Sequence, residues 1–75
     1  MTYCITYSVS EPEALWRVCG AVSKRGLDVS RMAVSEVTQG RQIDIELAAN
    51  PKQRGQLSRE FLSIVGVISA IIGDE

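Results

Sequence analysis

Asp44 and Glu46, in the stretch QIDIEL, are the side chains best placed by spacing for acid–base work. Two residues apart on an alternating segment, they share a face, as paired carboxylates do in glycoside hydrolases. Ordinary solvation of an open strand explains the same pattern without catalysis. Cys4 and Cys19 are the candidate nucleophiles, but a thiol needs a base or cation beside it to ionise. The chain has no histidine, so neither a Ser–His nor a Cys–His pair can form. Cys19 stands at core spacing and reads as a small hydrophobe, and nothing near Cys4 in sequence lowers its pKa. GxGxxG and Walker motifs are absent, as are a CxxC pair and a calcium loop. The expectation is a non-enzymatic chain with no cofactor or metal of its own.

Binding chemistry is easier to place. SVSEPEALWRV, residues 8–18, reads as a strand end, a loop and a helix start. Ser10, Glu11, Pro12 and Glu13 occupy a loop whose backbone amides could face a ligand. The same residues also make a helix start. Ser10 and Glu13 have capping-box spacing, and Pro12 suits the first turn. Trp16 lies about 100° around the helix from Leu15, and Gly20 leaves the surface one turn later bare. Tryptophan is enriched at binding hot spots, so the pair is a candidate partner contact. The alternative is that Trp16 folds over the core edge.

The elements follow from periodicity. Tyr3, Ile5, Tyr7 and Val9 alternate with Cys4, Thr6 and Ser8, which predicts a first strand. The first helix runs to about Arg25, with Leu15, Val18, Cys19 and Val22 as its buried stripe and Gly26 as its stop. A strand over residues 27–37 changes phase near Ser30 and Arg31, predicting a bulge. TQGR turns into QIDIEL, with Ile43, Ile45 and Leu47 inward. Asn50 caps a second helix before Pro51, buried through Leu57, Phe61 and Ile64 and widened by Leu62 and Val65. Gly66 ends it, and the β-branched run from Val67 to Ile72 is the last strand.

The order β-α-β-β-α-β predicts one α+β domain over residues 1–75, a ferredoxin-like sandwich. Its four-stranded antiparallel sheet carries both helices on one face. The other face would show Cys4, Thr6, Ser8, Asp44 and Glu46. The last strand is apolar on both sides, with Val67 and Ile71 on one and Ile68 and Ile72 on the other. Val67, Ile68 and Ile71 are therefore partner-interface candidates.

Bulk properties agree. A chain of 75 residues buries only roughly 60% of its unfolded surface, so self-association or a larger partner is the expected source of extra stability. The net charge of −1 attracts neither nucleic acid nor an anionic membrane. The uncharged run over residues 61–73 is shorter than the ~20 residues that cross a bilayer. With no room for a targeting segment before the first strand, the expected compartment is the cytoplasm. RNA binding in this fold stacks bases on central-strand aromatics, and RQIDIELA has none.

EALWRVCGAVSKRGLDVSRMAVS resembles the first helix and second strand of an ACT domain from the small regulatory subunits of acetolactate synthase. The family pattern is close to N-x-x-G-A-L-x-R-V, then R-G-Y-N-I. Ala14, Leu15, Arg17 and Val18 match the first part, and Arg25 and Gly26 the second. IDIELAA and IVGVISAI extend the resemblance over residues 3–72, nearest the short, valine-insensitive type. The resemblance implies a homodimer that binds and activates the acetolactate synthase catalytic subunit in branched-chain amino-acid synthesis. Thiamine diphosphate, Mg²⁺ and FAD would belong to that partner. In sensing members a branched-chain amino acid binds at the dimer interface, between the loop of one chain and the N-I pair of the other. The loop Asn falls on Ser10, the loop Gly on Glu13, and the N-I pair on Asp28 and Val29. Two acidic residues there repel a carboxylate, so the expectation is activation without valine sensing. A free-standing amino-acid sensor and a plain dimerisation module are the competing readings.

Overall fold

The computed structural model describes residues 1–73. The order is β1 (Thr2–Tyr7), α1 (Ala14–Lys24), β2 (Val29–Val37), β3 (Gly40–Leu47), α2 (Pro51–Ser63) and β4 (Val67–Gly73). All three strand pairings are antiparallel, in the order β2-β3-β1-β4. This is the expected ferredoxin-like α+β arrangement. No helix among the described residues is long and apolar enough to cross a membrane.

The two central strands supply the core by alternation. Tyr3, Ile5 and Tyr7 from β1 and Ile43, Ile45 and Leu47 from β3 are buried against Val18, Val22, Leu57 and Phe61. Tyr3 is anchored twice. Its ring meets Phe61 edge-on at 5.2 Å, and its hydroxyl donates to the Arg54 carbonyl at 2.7 Å. Val9, expected inside, lies beyond the end of β1 and is exposed.

Helix α1 is rotated relative to the expected stripe. Ala14, Val18, Ala21 and Val22 are buried, while Leu15 and Cys19 are half-buried. Both stripes share Val18 and Val22, so spacing alone could not choose. Ala14 and Ala21 on the buried side leave room for close approach to the sheet. Helix α2 has a complete capping box. The Asn50 side chain accepts from the Gln53 amide at 2.8 Å, and the Gln53 side chain accepts from the Asn50 amide at 2.9 Å. Leu62 and Val65, expected to widen its buried face, are exposed. The helix ends at Ser63, and Ile64 is already extended, so helical spacing no longer applies to Val65.

Two irregularities decide which faces the edge strands present. The register shift between Val29 and Arg31 is the predicted bulge. It leaves Val29, Met32 and Val34 opposite the inward residues Leu47, Ile45 and Ile43. A second shift, between Thr6 and Tyr7, was not foreseen. It pairs Val67 with Tyr7, Ala70 with Ile5 and Ile72 with Tyr3, all on the helix side. Ile71 pairs with Cys4 on the open face. The expected grouping of Val67 with Ile71 is therefore corrected: one extra residue inverts the alternation.

Candidate functional site

The loop after β1 is held by its own backbone. Glu11 N–H donates to Ser8 O at 3.0 Å, and Ala14 N–H to Glu11 O at 3.1 Å. Ser10 N–H donates to Ser8 Oγ at 3.2 Å, and the two serine hydroxyls lie 2.7 Å apart. Ser10 is thus not a helix cap. Two successive turns delay the helix, so Glu13 becomes the N-cap with no side-chain cap bond. The capping box expected from Ser10 and Glu13 is overturned for that reason. The Glu13 carboxylate instead faces Arg17 at 3.4 Å. A helix start can cradle an anion when its amides are free. Here the amides of Ser10, Glu11, Ala14 and Leu15 have acceptors within the loop, and Pro12 has no amide hydrogen.

Asp28 and Val29 lie at the other end of the sheet. Tyr7, just before the loop, pairs with Arg41, whereas Val29 pairs with Leu47. Along β1 that separation is about 20 Å. One chain therefore does not bring Ser10–Glu13 and Asp28–Val29 together. Asp28 and Val29 instead line a groove of about 380 Å³ between α1 and β2, with Cys19, Leu27 and Met32. The Cys19 thiol lies 3.8 Å from the Met32 sulfur.

This groove runs along an open flank. Helix α1 packs over the central strands and leaves the helix side of β2 uncovered: Val29, Met32 and Val34 are all exposed. Trp16 is 71% exposed, so it does not fold over the core. Gly20 is exposed too, with open space where a Cβ would stand. Trp16, Cys19, Gly20 and Ser23 recur at three- and four-residue spacing and so share one side of α1. Cys19 and Ser23 line the groove, which turns that side toward β2. The periodicity of the helix already placed Trp16 on the flank. That the flank abuts an uncovered strand was not readable, since it depends on which strands the helix covers.

Asp44 and Glu46 lie on the opposite sheet face, each beside a neutral donor. Gln42 Nε2 donates to Asp44 at 2.9 Å, and Ser30 Oγ to Glu46 at 3.0 Å. Arg31 pairs across the strands with Glu46, and both line a shallow pocket of about 270 Å³ with Thr2, Ala33 and Asp44. Among the described residues no cluster of three or more His, Cys, Asp or Glu is placed to hold a metal.

Strand order and helix placement put the chain in the ferredoxin-like class of α+β proteins. No protein-family model and no curated protein matches the sequence.

Proposed function

We propose that this chain is a non-catalytic regulatory subunit that works as a homodimer and activates the catalytic subunit of acetolactate synthase without sensing valine. The observation that carries the reading is the open flank formed by Trp16, Cys19, Val29, Met32 and Val34 beside the free edge of β2. A two-fold copy added antiparallel along β2 would extend the sheet and close both grooves. In a register centred on Ala33, Met32 meets Val34 of the copy and Arg31 meets its Ser35, so no like charges oppose. The start of one β2 then lies beside the end of the other. That carries Asp28 and Val29 of one chain toward the Ser10–Glu13 loop of its partner, the arrangement the ACT resemblance implies. The link to acetolactate synthase rests on the residues at Ala14, Leu15, Arg17, Val18, Arg25 and Gly26.

The case against valine rests on the loop. The amides of Ser10, Glu11, Ala14 and Leu15 already have acceptors within it, and Glu13 and Asp28 bring negative charge to the position of a ligand carboxylate. Calorimetry with valine, leucine and isoleucine should show no micromolar binding. Mixing with an acetolactate synthase catalytic subunit should give co-elution and a gain in its activity. Absence of both would reject the regulatory reading and leave a dimerisation module.

A further inference from the structure

We infer that Met32 is an oxidation site that switches self-association off: a peroxide converts its thioether to the sulfoxide, and the β2 interface opens. The inference rests on the dimer proposed above. The chain has two methionines, Met1 and Met32, and they differ in access. Met1 is partly buried against the core, and its amino group donates to the Leu47 carbonyl at 3.2 Å. Met32 stands on an edge strand and is 46% exposed. Its sulfur accepts only from the Cys19 thiol, at 3.8 Å, a weak contact that does not shield it from solvent. Met32 also lies at the middle of the strand that pairs with the copy, one residue from the two-fold centre at Ala33.

The step balances with hydrogen peroxide as the oxidant. The sulfur attacks one peroxide oxygen, the O–O bond breaks, an S–O bond forms and water leaves. Sulfur gives up two electrons and the peroxide takes them. The product is a polar side chain in an apolar place. The groove beside Met32 is walled by Val22, Leu27, Val29 and Ile45, and the copy brings Val34 against it. In the free chain, water satisfies the sulfoxide oxygen. Closing the interface removes that water. The groove offers two donors in exchange, the Cys19 thiol and the Ser23 hydroxyl. The thiol is a weak donor, and Ser23 stands a full turn beyond Cys19 on α1. Burying a strong acceptor without an equal donor opposes association. The unmodified thioether carries no such penalty, because it packs as an apolar group.

The test treats the full chain with dilute hydrogen peroxide and follows it by peptide mass and by sedimentation. One added oxygen should appear on Met32 before Met1. The dimer dissociation constant should rise by about tenfold or more once Met32 is oxidised. Methionine sulfoxide reductase should restore the dimer, whereas a thiol reductant alone should not, which separates methionine from cysteine oxidation. Met32→Leu keeps the side-chain volume and should stay dimeric through the same treatment. Earlier oxidation of Met1, a dimer that survives with Met32 fully oxidised, or recovery with the thiol reductant alone would overturn the switch and leave the dimer standing. A chain that is monomeric before any peroxide is added would reject the proposed dimer, and the switch with it.

Discussion

Asn50 and Ser10 look alike in sequence, and the fold treats them differently. Each is a capping residue with a potential partner three positions on, but only Asn50 closes a capping box. Asn50→Ala should cost about 1 kcal/mol in urea unfolding. Ser10→Ala, which loses only an exposed contact to Ser8, should cost under about 0.5 kcal/mol. Glu60 is the other decisive single residue. It accepts from Lys24 at 2.9 Å and Arg25 at 2.5 Å, joining the end of α1 to α2. The Lys24 bond, then the Arg25 bond, hold its carboxyl below the usual 4.5. A depressed folded pKa contributes stability that is full above the unfolded value and is lost as pH falls through the folded one. Glu60→Gln should therefore cost about 1 kcal/mol at pH 7. The gap from wild type should shrink as unfolding is repeated below pH 4.5.

At the scale of elements, the turn from α2 into β4 is tied to the loop after β1. Ser8 N–H donates to Gly66 O at 2.8 Å. Gly66 has φ of 97°, and a Cβ there would run into the side chain of Glu11. Gly66→Ala should cost about 1–3 kcal/mol through backbone strain alone. The collision should also disturb the loop, giving amide shifts at Ser8–Glu13 besides those at the mutation. Local effects confined to β4 would show that the loop is independent of the turn. This coupling also explains how the bulge opposite Thr6 and Tyr7 is kept, since Gly66 fixes where β4 enters the sheet.

The whole molecule has an ordinary amount of surface with an unusual distribution of it. Its accessible area is 4602 Å². A monomer of 8.2 kDa is expected to expose about 4,500 Å². The exposed large apolar residues are therefore not a sign of loose folding. Apart from Val9, they lie on the α1–β2 flank or around β4 and the end of α2. Met32→Lys should leave the fold intact, because Met32 is 46% exposed. It should also convert a dimer to a monomer in sedimentation at micromolar concentration. An unchanged sedimentation coefficient would remove β2 as the self-association edge.

The sequence by itself determined the element order, the inward residues Tyr3, Ile5 and Tyr7 of β1 and the inward set of β3, the Asn50 cap and the bulge at Ser30–Arg31. Each depends on neighbours within a few residues: alternation, a capping side chain, or a break in phase. The absence of histidine, which rules out a Ser–His or Cys–His pair within the chain, is likewise read directly. Only the tertiary structure decided the rest. Val18 and Val22 belong to two equally good stripes on α1, and packing against β1 and β3 selected the one with Ala14 and Ala21. The loop at SEPEAL became a pair of turns because Ser8 competes for Ser10 and Glu11. The face shown by Ile71 was set by a bulge against β1, a relation between strands some sixty residues apart in the chain. Which apolar residues remain exposed is a property of layer coverage, and no local pattern contains it.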